Sequence, residues 1–293
     1  MVKAQRLEDG NTHGTSAYRT IPGFNDQQLS TLNENCQGIL GPRSCLSKRQ
    51  VVWKIMAPDS ATEAQAVIGI LVMDARIRRI RGDVGNPATF PFPVICRTVA
   101  GATLKRLIRE RDPSLLGPFV EAGWELVRQG ARALTTTCGF MVLFQQELAA
   151  EFPVPVFTSS LLQLPFIERS LRPRDRIGIL TADAANLTPE HLRRAGGDEN
   201  RLTLFGLEDQ PGFHEAIFSG TGRLEEDRVA SEVVGQARRM AASDPAIRAI
   251  LLECANLPPY AAAVQDAVGL PVYDYTTMLH HVHAALVRTP FAI

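Results

Sequence analysis

A chain of 293 residues, 45% hydrophobic and 21% charged, has the composition of a globular protein large enough to bury a core without disulfide or metal staples. Lys plus Arg and Asp plus Glu balance at 31 each, so no overall field recruits nucleic acid or an anionic membrane surface. No apolar run reaches the roughly 20 residues of a membrane-spanning helix, and Met1-Val2-Lys3-Ala4-Gln5-Arg6 lacks the apolar core of a signal peptide. A cytoplasmic protein with neither nucleic-acid nor membrane partners is the expectation. The five cysteines are odd in number and widely spaced, with no CxxC pair. They suit reduced thiols better than a secreted disulfide framework or a zinc site, and no metal is expected.

Residues 1–62, rich in Asn, Gln, Ser, Thr and Gly without sustained periodicity, are expected to form a poorly ordered extension. From residue 65 onward, strand and helix patterns alternate, which predicts parallel strands joined by helical crossovers. Ala66–Met73 is a continuous apolar run, as in a strand covered on both faces. The Pro- and Gly-rich stretch Asp74–Val94 predicts a shaped loop. A helix follows over Leu115–Gly130, with Phe119, Ala122 and Leu126 on one stripe and Gly130 as its stop. Ala133–Cys138 reads as a buried strand and Met141–Phe152 as the helix behind it. Further strands are predicted over Val154–Ser160, Arg176–Asp183, Arg201–Gly206, Ala249–Cys254 and Leu270–Tyr275, with helices near 161–171, 224–243, 258–268 and 277–288. Thr188-Pro189 marks one more helix start.

Cys138 and Cys254, 116 residues apart, both end strands. This rough duplication suggests two similar α/β lobes. Ligands of open parallel sheets collect beyond the carboxyl ends of the strands, where Thr137, Ser159, Thr181 and the 74–94 loop also lie. A cysteine at a helix start is expected to favour its thiolate. No histidine is placed beside either cysteine by sequence, so a Cys–His nucleophile is weakly supported. Two opposed thiols suit proton transfer at a carbon next to a carboxylate, one removing a proton and the other delivering one to the opposite face. Cys96 reads as a packing residue, Glu253 as a structural partner by strand alternation, and the arginines at 76, 78, 79 and 81 as a solvated run. His280, His281 and His283 read as a helix surface.

Thr137-Cys138-Gly139-Phe140, together with Leu252-Glu253-Cys254-Ala255-Asn256-Leu257-Pro258, resembles the aspartate/glutamate racemase superfamily, which includes hydantoin racemases, maleate isomerases and arylmalonate decarboxylases. The resemblance covers roughly residues 65–290. It implies an α/β fold of two flavodoxin-like parallel-sheet lobes related by a pseudo-twofold, an active site in the cleft between them, no cofactor, and often a homodimer. On that pattern the first lobe spans 63–158 plus 270–293 and carries Cys138, and the second spans 159–269 and carries Cys254. The implied function is a cofactor-independent racemase or epimerase, an isomerase acting on a small-molecule carboxylate such as an amino acid, with Cys138 and Cys254 as the acid/base pair. A maleate-type cis–trans isomerase, an arylmalonate-type decarboxylase and a non-catalytic ligand-binding protein are the alternatives. Thr137, Gly139, Phe140, Asn86, Ser159, Thr181 and Asn256 are the expected substrate contacts. Amino-acid racemases of the superfamily place Asn-Thr after the first cysteine, where this chain has Gly139 and Phe140. Glutamate racemases place His where it has Asn256. Glutamate is therefore not the expected substrate, and Phe140 with Phe90 and Phe92 points to a less polar one.

Overall fold

The run Val67–Met73 is β1, the centre of a parallel sheet, and its Ile68, Ile70 and Leu71 are fully buried. In the computed structural model, residues 67–291 are described; the extension expected over residues 1–62 lies outside them. β2 (Val94–Val99), β3 (Ala131–Thr136) and β4 (Val156–Phe157) complete the first sheet in the order β2-β1-β3-β4. A second sheet of β5 (Arg176–Thr181), β6 (Leu202–Gly206), β7 (Ile247–Leu252) and β8 (Val272–Tyr273) has the order β6-β5-β7-β8. Every pairing in both is parallel. The second order repeats the first, and so does an irregularity. The β1–β3 register shifts between Val67 and Ile68, and the β5–β7 register between Arg176 and Ile177.

The crossovers follow the apolar stripes. α1 (Leu116–Arg128) buries Phe119, Ala122 and Leu126 as its spacing predicts, and the chain turns beyond it at Gly130 with φ +97°. After β3 the chain makes a 3₁₀ turn over Gly139–Phe144 before α2 (Gln145–Glu151), so the α-helix expected to begin at Met141 starts four residues later. α3 (Leu164–Ser170) leads to the second sheet. There α4 (Pro189–Arg194), with Thr188 and His191 closing its first turn, precedes α5 (Pro211–Ile217) and the long α6 (Glu226–Ser243). α7 (Ala261–Val268) and α8 (Tyr275–Leu286) complete the chain order. No described helix is long and apolar enough to cross a membrane.

The final segment divides between the lobes. β8 pairs with β7, so Val272 and Tyr273, expected in the first lobe, belong to the second sheet. α8 packs Tyr275, Met278, Leu279 and Val282 into the core of the first lobe, beside Ile68, Ile70, Phe90 and Phe92. The apolar face of α8 fits that core, whereas the short β8 finds its free ladder edge on β7. Phe90 and Phe92 are thus core residues, and Phe92 stacks on His283 with ring centroids 4.1 Å apart.

Buried hydrogen bonds brace each lobe and tie the two together. The Ser160 hydroxyl donates to the carbonyls of Leu252 (3.0 Å) and Glu253 (3.2 Å). The N–H of Val84 donates to Ala255 O (3.2 Å), and the Tyr275 hydroxyl to Thr158 O (2.9 Å). Ser160 is fully buried, so Ser160→Ala strips two carbonyls of a donor without exposing them to water. The variant is expected to lose about 1–2 kcal/mol of stability, read as a lower denaturant midpoint at unchanged m-value.

Candidate active site

In a parallel sheet the residue just past a strand still bonds to its neighbour strand, and the next is free to turn into the cleft. Thr137 and Glu253 occupy the first of these positions in the two lobes. Their N–H groups donate to Leu71 O (3.0 Å) and Leu180 O (2.8 Å). Cys138 and Cys254 occupy the second. Both thiols are buried, and they line one pocket with Met73, Leu104, Ile108, Thr137, Gly139, Phe140, Ala182, Ile217, Glu253, Ala255 and Asn256. The pocket is small and partly open to solvent.

Each sulfur has its own surroundings. The N–H groups of Phe140 and Met141 point at Cys138, which favours its thiolate, but burial and then the charge of Glu253 outweigh them and push the thiol up to about 12. Placement at the start of a turn was expected to favour the thiolate; desolvation wins instead. Cys254 is pushed well above its ordinary value by burial, then by Glu253, against one helpful N–H from Asn256. Its S–H donates to Asn256 Oδ1 (3.5 Å). Asn256 is aligned by donating from Nδ2 to Asp83, which in turn accepts from Arg79 (2.9 Å) and from the N–H of Gly85 (2.7 Å). Of the basic run, Arg79 is therefore turned inward, while Arg76, Arg78 and Arg81 are exposed.

The expected contacts fall into three groups. Thr137, Gly139, Phe140 and Asn256 line the pocket with the two cysteines. Thr181 acts at one remove, its hydroxyl donating to Glu253 Oε2 (2.8 Å). Asn86 and Ser159 do not reach the pocket. Asn86 Oδ1 accepts from Ala88 N–H and Ser159 Oγ from Leu161 N–H, each capping a 3₁₀ turn. Short polar side chains after a strand serve such caps as readily as they serve a ligand.

Glu253 is the residue that sequence reasoning placed wrongly. β7 ends at Leu252, so strand alternation no longer governs which way Glu253 points. Its carboxyl is fully buried and raised to about 7, first by desolvation, with Asp183 adding to the rise and the Thr181 hydroxyl opposing it. Gly139 owes its identity to this group. A β-carbon there would stand 1.9 Å from Glu253 Oε1 and 2.9 Å from its carbonyl oxygen.

No protein-family model matches the chain. It is 35% identical over 216 residues to a dimethylsulfoniopropionate lyase of Durusdinium sp. clade D, covering 71% of each chain. It is 34% identical over 233 residues to dimethylsulfoniopropionate lyase 7 of Emiliania huxleyi (strain CCMP1516), covering 76% of this chain and 68% of that protein. The chain belongs to the dimethylsulfoniopropionate lyase family. In fold, this lyase-family chain matches arylmalonate decarboxylase at a TM-score of 0.51 and 16% identity, over 75% of its length and 92% of that structure. A mutant of the same decarboxylase in a sulfate-associated form gives 0.52. The aspartate/glutamate racemase superfamily fold read from the two cysteine motifs therefore stands. The reaction does not. Relatives at 34–35% identity are lyases, which overturns the expected racemase or epimerase and the assignment to the isomerases. Two strand-end cysteines mark the fold without fixing the reaction.

Gly139→Ala is expected to force the Glu253 carboxyl off Thr181 and to lower stability by about 1–3 kcal/mol. The double variant Gly139→Ala, Glu253→Ala should recover much of that loss, a coupling readable in a thermal-unfolding cycle.

Proposed function

We propose that this chain is a dimethylsulfoniopropionate lyase that uses the cysteine pair to start a β-elimination. The observation that carries the reading is the pair of buried thiols sharing one small pocket in a chain 34–35% identical to lyases acting on this compound. In 3-(dimethylsulfonio)propionate, the acidic hydrogens lie on the carbon next to the carboxylate and the sulfonium sits on the following carbon. A thiolate takes one such proton, the electron pair forms the carbon–carbon double bond, and the carbon–sulfur bond breaks. Dimethyl sulfide leaves with both bonding electrons, acrylate remains, and the captured proton passes from the thiol to solvent. The leaving group departs neutral and needs no acid. This is how the proton-abstraction step expected for a racemase leads here to a different end.

Hydrogen bonding separates the roles of the two sulfurs. Two N–H groups face Cys138, which suits it to carry charge as the base. Cys254 keeps its proton toward Asn256, a neutral neighbour for the negative charge that develops on the substrate.

Purified protein given the sulfonium compound is expected to release dimethyl sulfide and acrylate in equal amounts, followed by gas chromatography and proton NMR. Absence of both at millimolar substrate would sink the reading. Cys138→Ala and Cys254→Ala are each expected to lower kcat/KM by about 10² or more, the usual contribution of a positioned acid–base group. Because burial raises the pKa of both thiols, the base is scarce at neutral pH and becomes commoner as pH rises. The value of kcat/KM should therefore climb between about pH 7.5 and 9, approaching roughly tenfold per unit, and a flat profile there would count against a thiol base.

A further inference from the structure

We propose that Glu253 is the counter-charge that selects the cationic head of the substrate, a specificity role that rests on the lyase reading above. The carboxyl is fully buried, one oxygen is held by Thr181 (2.8 Å), and the other, Oε1, has no hydrogen-bond partner. Oε1 stands against Gly139, the residue after Cys138, at the wall of the pocket both cysteines share. Buried carboxylate oxygens are seldom left bare, because an unmatched one forfeits its hydration without return.

Among the described residues no cation acts on this carboxyl. Asp183 stands beyond β5, Cys138 beyond β3, Cys254 beyond β7 and Tyr275 at the start of α8, and the charge of Glu253 is felt at all but the first as a penalty on ionisation. Asp183 in turn raises Glu253 itself. Arg79 influences Cys138 and pairs through Nη1 with Asp83. The opposite lobe shows what a satisfied version looks like. At the equivalent position, Thr137 keeps its hydroxyl occupied by accepting from the N–H of Met73 (3.0 Å). Of these two equivalent positions, the one in the second lobe presents an anion with an oxygen to spare.

A trialkylsulfonium matches this oxygen and its surroundings in two ways. It has no N–H or O–H to donate, so it gains from an oxygen whose lone pairs are free. Its methyl groups suit the apolar wall of Leu104, Ile108, Phe140, Ala182 and Ile217. Its charge also offsets the carboxylate that otherwise opposes a thiolate at either cysteine, so binding the right head group makes the base easier to form.

The test uses two ligands of one shape, 3-(trimethylammonio)propanoate and 4,4-dimethylpentanoate, which differ by a single positive charge. Calorimetry should show the wild-type protein binding the trimethylammonio compound at least about tenfold tighter. Glu253, with its pKa raised to about 7, is protonated below that pH and charged above it. The preference should therefore widen as pH rises from 6 to 8, because only the ligand with the cationic head gains from the charged carboxylate. Glu253→Gln should bring the two affinities together without weakening the binding of dimethylpentanoate. A preference that survives Glu253→Gln, or a wild-type protein whose preference is absent or independent of pH, overturns the proposal. If the Gln variant does not fold, the wild-type pH series decides alone. Acrylate production without charge preference overturns this role and spares the lyase reading; charge preference without acrylate does the reverse.

Discussion

A buried carboxylate at the wall of the pocket that both thiols line, with no cation acting on it among the described residues, is the constraint around which the rest of the site is arranged. Its burial raises its own proton affinity and, through its charge, that of Cys138 and Cys254. It requires glycine at 139, because any β-carbon would occupy the place of Oε1. It requires a donor at the end of β5, which Thr181 supplies. Residues that look separate along the chain, at 139, 181 and 253, are thus one packing problem.

The duplication of the fold gives this constraint its meaning. The two sheets share their strand order, their register slip and the hydrogen bond from the first residue past the cysteine strand. Against that matched background the differences stand out. Thr137 faces Glu253 as its counterpart, and the N–H donors toward Cys138 contrast with the Asn256–Asp83–Arg79 chain behind Cys254. A symmetric frame carries an asymmetric site.

Much of this was legible in the sequence. Apolar runs without alternation at Val67–Met73 and Ala249–Leu252 are what two-sided burial demands, and the stripe of Phe119, Ala122 and Leu126 is a direct reading of helical period. The two cysteines were legible because an abrupt end to an apolar strand is a local signal. What escaped depends on contacts distant in sequence. Glu253 was misread because the alternation rule was carried one residue past the strand, and Asp83 drew no reading because its partner Asn256 lies 173 residues away. Asn86 and Ser159 have the residue type and position of ligand contacts, yet their side chains satisfy backbone N–H groups next door. β8 went to the other sheet because a two-residue strand holds too little pattern to name its neighbour. The reaction class escaped for a different reason. Racemisation and elimination begin with the same proton transfer, so the groups that start them look alike.

The close approach of Gly139 to Glu253 has a consequence for motion. Gly139 belongs to the first lobe and Glu253 to the second, and the Val84 N–H bonds Ala255 O across the same seam. Swinging the lobes apart like a clamshell would break that bond and lift the glycine off the carboxyl it makes room for, so the fit at residue 139 works only with the lobes closed.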